Sequence, residues 1–378
     1  MTIATLQLLP ALQQGGVERS TIEMAIFLKQ QGHAPHVASA GGRMVTELEA
    51  HNIPHHTLPL HSKNPLTIIR NVFRLSRLLK QENIQLVHVR SRIPAWIMWL
   101  THKRTGIPYI ATFHGTYGHK NAIKRCYNRV MLKGMRVIAN SAFIRQHIHQ
   151  VYGYPKNQIP VALRGFDPAQ FNPAAIAPTD ETTLRNNLNM PTDVPIILMV
   201  GRLTPWKGHR IFIQALKQLK DNQPDLPWQA LIVGGAQKAS WEKILISDVR
   251  QYQLTEQVHF LGNRTDIPLL NKIATVAVSA STNPEAFGRV ALEAQAMRTP
   301  IIATAHGGSL ETVQDGITGW LIPPQDATAL AAKLVEALTN PSQTETMGQQ
   351  AEKWVNHHFT TLATCQAEYK VYKEVLNI

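Results

Sequence analysis

The sequence predicts an α/β protein made of two doubly wound parallel-sheet domains that face each other across a cleft. Three observations predict it. The chain has 378 residues, 44% of them hydrophobic, and at roughly 100–200 residues per domain that length supplies two full-sized cores and excludes a fibre or a disordered tail. Strand-like apolar runs alternate with helical patterns throughout, the signature of α/β units on parallel sheets. Midway, residues 165–190 hold three prolines and many small polar residues without an apolar period, which marks a break between two series of runs.

In the first series the expected strands are Ile3–Leu9, His36–Ala40, Leu86–Val89, Tyr109–Phe113 and Val137–Ala139. The second series offers Ile196–Val200, Gln229–Val233, Val258–Leu261, Val276–Ser279 and Ile301–Ala303. The organisation that follows is an N-terminal Rossmann-like domain over residues 1–164, an interdomain linker over 165–190, and a C-terminal Rossmann-like domain over 191–358. A final helix covers 359–378, where Leu362, Cys365, Tyr369, Tyr372 and Leu376 recur at helical spacing. No short internal repeat relates the halves. Ligands of open α/β sheets bind beyond the carboxyl ends of the strands, so motifs directly after strands become the functional candidates.

The formal net charge of +13 points to an anionic partner. Its distribution is more telling than its size. Residues 1–190 carry 22 Lys and Arg against 8 Asp and Glu, whereas residues 191–378 carry 16 against 17. Within residues 61–164 there are 18 basic residues and one acidic residue, Glu82. Arg70, Arg74, Arg77 and Lys80 form a basic stripe on a helix expected over Pro65–Lys80, with Leu66, Ile69, Phe73, Leu75, Leu78 and Leu79 as its core-facing apolar neighbours. Lys120, Lys124, Arg129, Lys133 and Arg136 form a second stripe over Lys120–Arg136. Either stripe alone reads as a solvated helix face; together they read as an anion-binding surface.

Two cysteines, Cys126 and Cys365, exclude a disulfide framework, no CxxC or Cys/His cluster offers a structural zinc site, and a reducing cytoplasm is the expected setting. The stretch before Gly15 lacks the basic start of a signal peptide. The longest uncharged apolar runs, Val194–Val200 and Ile93–Leu100, fall far short of the ~20 residues of a spanning helix, so membrane contact is expected to be peripheral.

Three strand-end motifs carry chemistry. Gln13-Gln14-Gly15-Gly16-Val17-Glu18-Arg19 follows the first strand and opens a helix, where Gly15 and Gly16 let the backbone approach a phosphate at the helix N-terminus. The pair also reads as a simple tight turn, and it is not the G-x-G-x-x-G fingerprint. Gly201-Arg202-Leu203-Thr204-Pro205-Trp206-Lys207-Gly208 follows Ile196–Val200; Arg202 can fork onto phosphate oxygens and Lys207 adds a compact charge, which suits a diphosphate. Asn283 to Ala294 follows Val276–Ser279 and enters a helix at about Gly288, with Glu285 ahead of it and Glu293 within it. Carboxylates beside a cationic site accept hydrogen bonds from hydroxyls, which sugars and ribose supply. Either carboxylate alone reads as an ordinary surface residue, but with the Arg/Lys loop they suit a nucleotide diphosphate carrying a sugar.

On these pieces the chain resembles a GT-B glycosyltransferase of family 4, the retaining glycosyl transferases group 1, of lipopolysaccharide-core type. The matching elements are Gly15-Gly16, Gly201-Arg202-Leu203 with Lys207-Gly208, the Glu285/Glu293 pair spaced E-x7-E, and Gly307-Gly308 before Glu311. Arg164-Gly165-Phe166-Asp167 resembles the family's Asn-Gly-Val-Asp turn, with Arg and Phe as departures. The resemblance implies retaining sugar transfer from a UDP- or GDP-activated donor, without cofactor or metal. It implies that Arg202 and Lys207 neutralise the leaving diphosphate, that Glu285 contacts donor-sugar hydroxyls, and that Glu293 holds the ribose. It further implies that backbone amides around Phe287, Gly288, Arg289 and Val290 complete a phosphate cradle, that Arg264 lies where the nucleobase is met, and that His114, in Thr112-Phe113-His114-Gly115-Thr116, lies near the donor sugar. The final helix resembles one that crosses back onto the first domain.

The expected function is therefore transfer of a sugar to a hydroxyl of a lipid-linked or envelope glycan, lipopolysaccharide core first. The enzyme is expected to be cytoplasmic and held peripherally on the inner face of the membrane. Its expected partners are the nucleotide sugar, a glycolipid acceptor and an anionic surface met by Arg70, Arg74, Arg77, Lys120, Lys124, Arg129 and Lys133, with no nucleic acid. Two other readings compete: a GT-B sugar-nucleotide epimerase or phosphorylase, and a nucleic-acid-binding protein, which would leave Arg202, Lys207, Glu285 and Glu293 unexplained and lacks an RNP1 motif.

Overall fold

The computed structural model describes residues 2–13, 15–236 and 238–378; Gln14 of the first glycine loop lies outside the described residues. The chain runs β1 (Ala4–Leu8), α1 (Gly16–Gln30), β2 (Ala34–Ser39), α2 (Val45–Ala50), β3 (His55–Thr57), α3 (Pro65–Gln81), β4 (Leu86–Val89), α4 (Arg92–Thr105), β5 (Tyr109–Phe113), α5 (Ala122–Asn128), β6 (Arg136–Ala139) and α6 (Ala142–Tyr152). It continues with α7 (Pro178–Asn187), β7 (Ile196–Val200), α8 (His209–Asn222), β8 (Gln229–Val233), α9 (Ala239–Gln251), β9 (Val258–Gly262), α10 (Ile267–Ile273), β10 (Val276–Ser279), α11 (Arg289–Ala296), β11 (Ile301–Thr304), α12 (Ser309–Thr312) and β12 (Gly319–Ile322). Helices α13 (Ala327–Thr339), α14 (Pro341–His358) and α15 (Thr361–Leu376) close it.

These elements form two compact units, residues 1–164 with 361–378, and residues 165–360. Each holds one six-stranded parallel sheet, ordered β3-β2-β1-β4-β5-β6 in the first and β12-β11-β10-β7-β8-β9 in the second. Numbered from the first strand of each unit, both orders read 3-2-1-4-5-6, the doubly wound arrangement whose winding reverses between the first and fourth strands. The central strands are buried along nearly their whole length, as parallel strands covered by helices on both faces must be. The edge strands β3 and β12 are additions to the predicted set. His55–Thr57 has no apolar run at all, and β12 begins on a glycine.

The segment expected as an interdomain linker is instead folded into the second unit. Its prolines start structure: Pro173 opens a 3-10 turn and Pro178 is the first residue of α7, a position where the missing N–H costs nothing. Leu184 and Met190 are buried with Ile196, Leu198, Leu270 and Ile273, and Arg185 donates to the carbonyls of Pro191, Val194 and Ile273.

Helix α15 packs in the first unit. Cys365, Val371, Tyr372 and Val375 join Met24, Phe27, Leu28, Leu86, Ile110 and Ile138 in one apolar cluster, whereas Leu362, expected on the apolar face, is 55% exposed. At the centre of the buried face stands a charge, Glu368, 1% exposed. Arg90, at the carboxyl end of β4, grips it through two hydrogen bonds of 3.2 and 2.7 Å and donates a third to Gln7 at 2.8 Å. Arg164 reaches the same carboxylate at 3.4 Å. His88 is held between the Tyr372 hydroxyl and Thr112 at 2.8 and 2.7 Å.

Burial alone would raise the Glu368 pKa, but Arg90, His88 and Arg164 outweigh it and bring the carboxyl down to about 2. The unfolded chain thus binds this proton more tightly than the folded one. The stabilisation is complete above the unfolded carboxyl's range, about pH 5, and is lost as pH falls toward 2. Glu368→Ala leaves two guanidiniums buried without their counter-ion and is expected to cost about 3–5 kcal/mol near pH 7, read as a lower urea midpoint. The gap between the native chain and Glu368→Gln should narrow as the pH drops to about 3; equal midpoints near neutrality would refute the role given to this carboxylate.

Candidate active site

In the second unit the site is built where the winding reverses. The loop after β7 is tied to β8 by Gly201 N–H to Val233 O (2.8 Å) and Leu203 N–H to Gly235 O (3.0 Å). A 3-10 turn over Pro205–Lys207 then brings the chain to Gly208, which has φ +79° and starts α8. Only glycine fits there: a Cβ would lie 1.8 Å from the Ala280 carbonyl oxygen at the end of β10. The loop after β10 is stitched to this turn by Thr282 N–H to Trp206 O at 2.8 Å.

That proximity joins the two predicted motifs. Lys207 Nζ lies 2.5 Å from Glu285 Oε1, and the Ser281 hydroxyl donates to the same oxygen at 2.7 Å. Glu285 Oε2 has no protein partner among the described residues and stays available as an acceptor. The third loop, after β11, closes on the second: Gly308 N–H donates to Glu285 O at 2.9 Å. A Cβ on Gly307 would come within 2.4 Å of Glu285 O, and one on Gly308 within 2.3 Å of Phe287 Cα. The Gly307-Gly308 pair is thus a close-approach site that fixes the backbone of Glu285–Phe287.

Phe287 is buried and edge-on to Phe359, so only its backbone can serve a ligand. Gly288, at φ +93°, starts α11, whose first N–H groups at Arg289 and Val290 form the helix N-terminus that favours an anion. Arg289 and Glu293 face each other one turn apart at 3.5 Å. The two predicted diphosphate cations differ: Lys207 is engaged by Glu285, whereas Arg202 is exposed and its guanidinium has no protein partner among the described residues. The sequence reading missed His209. It is fully buried at the start of α8, and burial followed by the Lys207 charge pushes its imidazole down to about 4, so it stays neutral beside the lysine.

Arg264 is tied to Asp266 by hydrogen bonds of 2.8 and 2.5 Å. Both line a cavity of about 570 Å³ with Thr183, Leu184 and Leu269, between α7 and α10. None of the loop residues carrying Lys207 and Glu285 lines that cavity.

In the first unit Gly15, at φ +150°, precedes Gly16, the first residue of α1. His114 follows β5 and is half-buried, with Arg164 Nη2 at 2.7 Å from its Nδ1. Among the basic residues Arg70, Arg74, Arg77, Lys120, Lys124, Arg129 and Lys133 are all exposed. The core-facing row of α3 is narrower than expected. Val72, Leu75 and Leu79 are buried, while Leu66, Ile69 and Phe73 are 65%, 50% and 53% exposed among the arginines. The second stripe is not one helix: α5 ends at Asn128, a 3-10 turn covers Arg129–Leu132, and Arg136 begins β6. Between the stripes, Lys103 Nζ lies 4.2 Å above Trp99 and the Arg104 guanidinium 4.6 Å above Phe73.

Comparison with known proteins agrees with this architecture. Residues 14–170 match the family model Glycosyltransferase Family 4, and residues 180–354 match Glycosyl transferases group 1. A crystal structure of a glycosyltransferase from Rickettsia africae is 36% identical, with 99% of each chain covered and a TM-score of 0.91. The Anabaena protein HepE, solved in complex with UDP, is 25% identical over 99% of this chain and 100% of that one, with a TM-score of 0.84. The D-inositol 3-phosphate glycosyltransferase of Rhodococcus erythropolis is 27% identical over 283 residues, which span 71% of this chain and 63% of that protein.

Gly208→Ala should misplace Lys207 and destabilise the second unit, since the backbone conformation and the Ala280 carbonyl both oppose a side chain. The expected cost exceeds about 3 kcal/mol, measured as a loss of thermal stability, and a variant melting with the native chain would disprove the packing assigned to this turn.

Proposed function

The chain belongs to the glycosyltransferases of the GT-B fold, group 1 and family 4, and from that membership we propose that it moves a sugar, with retention, from a nucleotide-diphosphate donor to a hydroxyl of a lipid-linked envelope glycan. One observation carries the donor half: Arg202, Lys207, Glu285 and the N-terminus of α11 are gathered by the loops after β7 and β10. Two cations and a row of N–H groups suit a diphosphate, and a carboxylate with one oxygen engaged suits a sugar hydroxyl.

In the proposed reaction the bond from the anomeric carbon to the diphosphate oxygen breaks as the acceptor oxygen attacks on the same face, and the leaving phosphate takes the acceptor's proton. Arg202 and Lys207 stabilise the charge that develops on the leaving group. Glu285 holds donor-sugar hydroxyls and also keeps Lys207 extended before the donor arrives. Glu293 is assigned to the ribose, Arg264 to the nucleobase side, Gly15 and Gly16 to the donor phosphates, and His114 to the sugar.

The acceptor half rests on charge. The excess of basic residues lies in residues 61–164, and on α3 Leu66, Ile69 and Phe73 are exposed between Arg70, Arg74 and Arg77. Outward apolar side chains among arginines suit the headgroup boundary of an anionic bilayer, where each basic residue contributes about 1 kcal/mol. No described helix is long and apolar enough to cross a membrane, so the proposed contact is peripheral. Lipopolysaccharide core is the first acceptor to assay. A phosphorylated polyol is the second, because relatives named D-inositol 3-phosphate glycosyltransferase carry a phosphate on theirs.

A thermal-shift screen against UDP, GDP, ADP and their sugar conjugates should single out one base by a rise in melting temperature. Arg202→Ala and Lys207→Ala should each lower transfer by about 10- to 150-fold, the equivalent of about 1.5–3 kcal/mol, with the fold intact; near-native transfer by the double variant would overturn the site. Sedimentation with vesicles should show binding that requires anionic lipid, falls with salt and weakens in Phe73→Ser. Equal binding to neutral vesicles would dismiss the electrostatic part.

A further inference from the structure

We propose that His306, on the loop after β11, is a positioning residue: its ring holds the Ser281 carbonyl and through Ser281 sets the Glu285 carboxylate where it meets the donor sugar. The role given to Glu285 rests on the nucleotide-sugar reading; the contact made by His306 does not.

The need for such a residue comes from the sheet. β10 and β11 run parallel with Ser279 opposite Ala303, and Ser281, two residues further on, is fully buried. In a parallel ladder the hydrogen bonds are evenly spaced along the strands, and continued in this register the Ser281 carbonyl would receive the His306 N–H. That N–H turns back instead to Thr304 O at 2.8 Å, and the Ala305 N–H goes to Ile322 O at 2.7 Å, toward β12. The buried carbonyl is therefore left to side chains. Thr304 Oγ1 donates to it at 3.0 Å, and His306 Nε2 lies 2.8 Å from it and 2.9 Å from Thr304 Oγ1. A carbonyl oxygen only accepts, and the Thr304 hydroxyl has already given its hydrogen to that carbonyl, so both oxygens call for a proton on the ring nitrogen they share. Both contacts are made by Nε2, which places the proton there.

Ser281 links this carbonyl to the site. Its hydroxyl donates to Glu285 Oε1 at 2.7 Å, the oxygen that also meets Lys207. The next residue is pinned as well, Thr282 N–H to Trp206 O at 2.8 Å, beside Lys207. At the far end of the segment Ser281–Glu285, the Gly308 N–H holds Glu285 O. The run His306-Gly307-Gly308 thus grips that segment at Ser281 and again at Glu285, and all of it lies in the second unit. Without the ring, a buried carbonyl loses one of its two donors and Ser281 loses part of what orients its hydroxyl toward Glu285.

Ring ¹⁵N shifts of the full chain, with His306 assigned by loss of its signals in His306→Gln, should show the proton on Nε2 and none on Nδ1 at about pH 8.5, above the range in which imidazoles ordinarily charge. Affinities are then compared for two probe pairs, UDP with UDP-glucose and GDP with GDP-glucose. In His306→Leu the sugar nucleotide should bind about tenfold more weakly, the equivalent of one hydrogen bond, while the nucleoside diphosphate alone stays within about threefold of native. His306→Gln, whose amide N–H reaches the place of Nε2, should keep the native ratio of the two affinities, whereas His306→Asn, one bond shorter, should behave as His306→Leu. In a Ser281→Ala background, where the link to Glu285 is already cut, His306→Leu should change that ratio by less than about twofold. A proton found on Nδ1 in the native chain would overturn the proposal whether or not the variants fold. So would a native ratio in a folded His306→Leu. If neither pair binds the native chain while the proton is on Nε2, the hydrogen bond stands and the nucleotide-sugar reading falls, taking with it the role given to His306.

Discussion

Both units depend on one constraint: a parallel sheet wound outward from its middle must reverse direction between its first and fourth strands. Helices cross to opposite faces on either side of that reversal, so the loops leaving the two central strands diverge and open a gap at the carboxyl edge. In the second unit these are the loops after β7 and β10, and the gap is narrow enough that Gly208 touches the end of β10. Lys207 and Glu285, 78 residues apart, meet because the topology sets the loops after β7 and β10 side by side. In the first unit the same reversal brings Gln7 on β1 to Arg90 just past β4.

The two reversals are used differently. That of the second unit is lined by loops with glycines at close contacts, pairs Lys207 with Glu285 and leaves Arg202 exposed. That of the first is filled by a buried ion cluster. Glu368 enters from α15, the last helix of the chain, and a carboxylate there is tolerable only because two guanidiniums surround it. Apolar residues in place of the whole cluster would pack as well without charge. What the carboxylate adds is directionality: it sets the planes of Arg90 and Arg164, and Arg164 in turn faces His114.

The basic excess follows a separate logic. On α3 the residues that complete the sheet's cover are few, and the arginines and the exposed apolar side chains share the rest of the helix. The loops after β7 and β10 in the second unit carry only a few cations, Arg202 and Lys207 after β7 and Arg289 after β10. The surface charge of the first unit is spread over exposed side chains of α3, α5 and the turn after it, away from the buried rows of those elements.

The architecture was legible because parallel strands buried on both faces write continuous apolar runs into the chain, and the central ones, such as Leu86–Val89 and Ile196–Val200, stand where those runs predict. Strand-end motifs were legible for the same reason, since a strand's end locates the loop after it. The short edge strands lacked such a run, and the prolines that begin the 3-10 turn and α7 disguised residues 165–190 as a linker. The outward turn of Leu66, Ile69 and Phe73 was hidden because hydrophobic spacing does not say how wide a face the neighbouring elements will cover. By itself the sequence determined the α/β class, the strand-end position of the motifs holding Arg202, Lys207 and Glu285, and the half that carries the charge. Only the tertiary structure decided that Lys207 pairs with Glu285, that Glu368 is buried between two arginines and that Arg164 faces His114, because these contacts join residues from 50 to 278 positions apart, which no local periodicity can record.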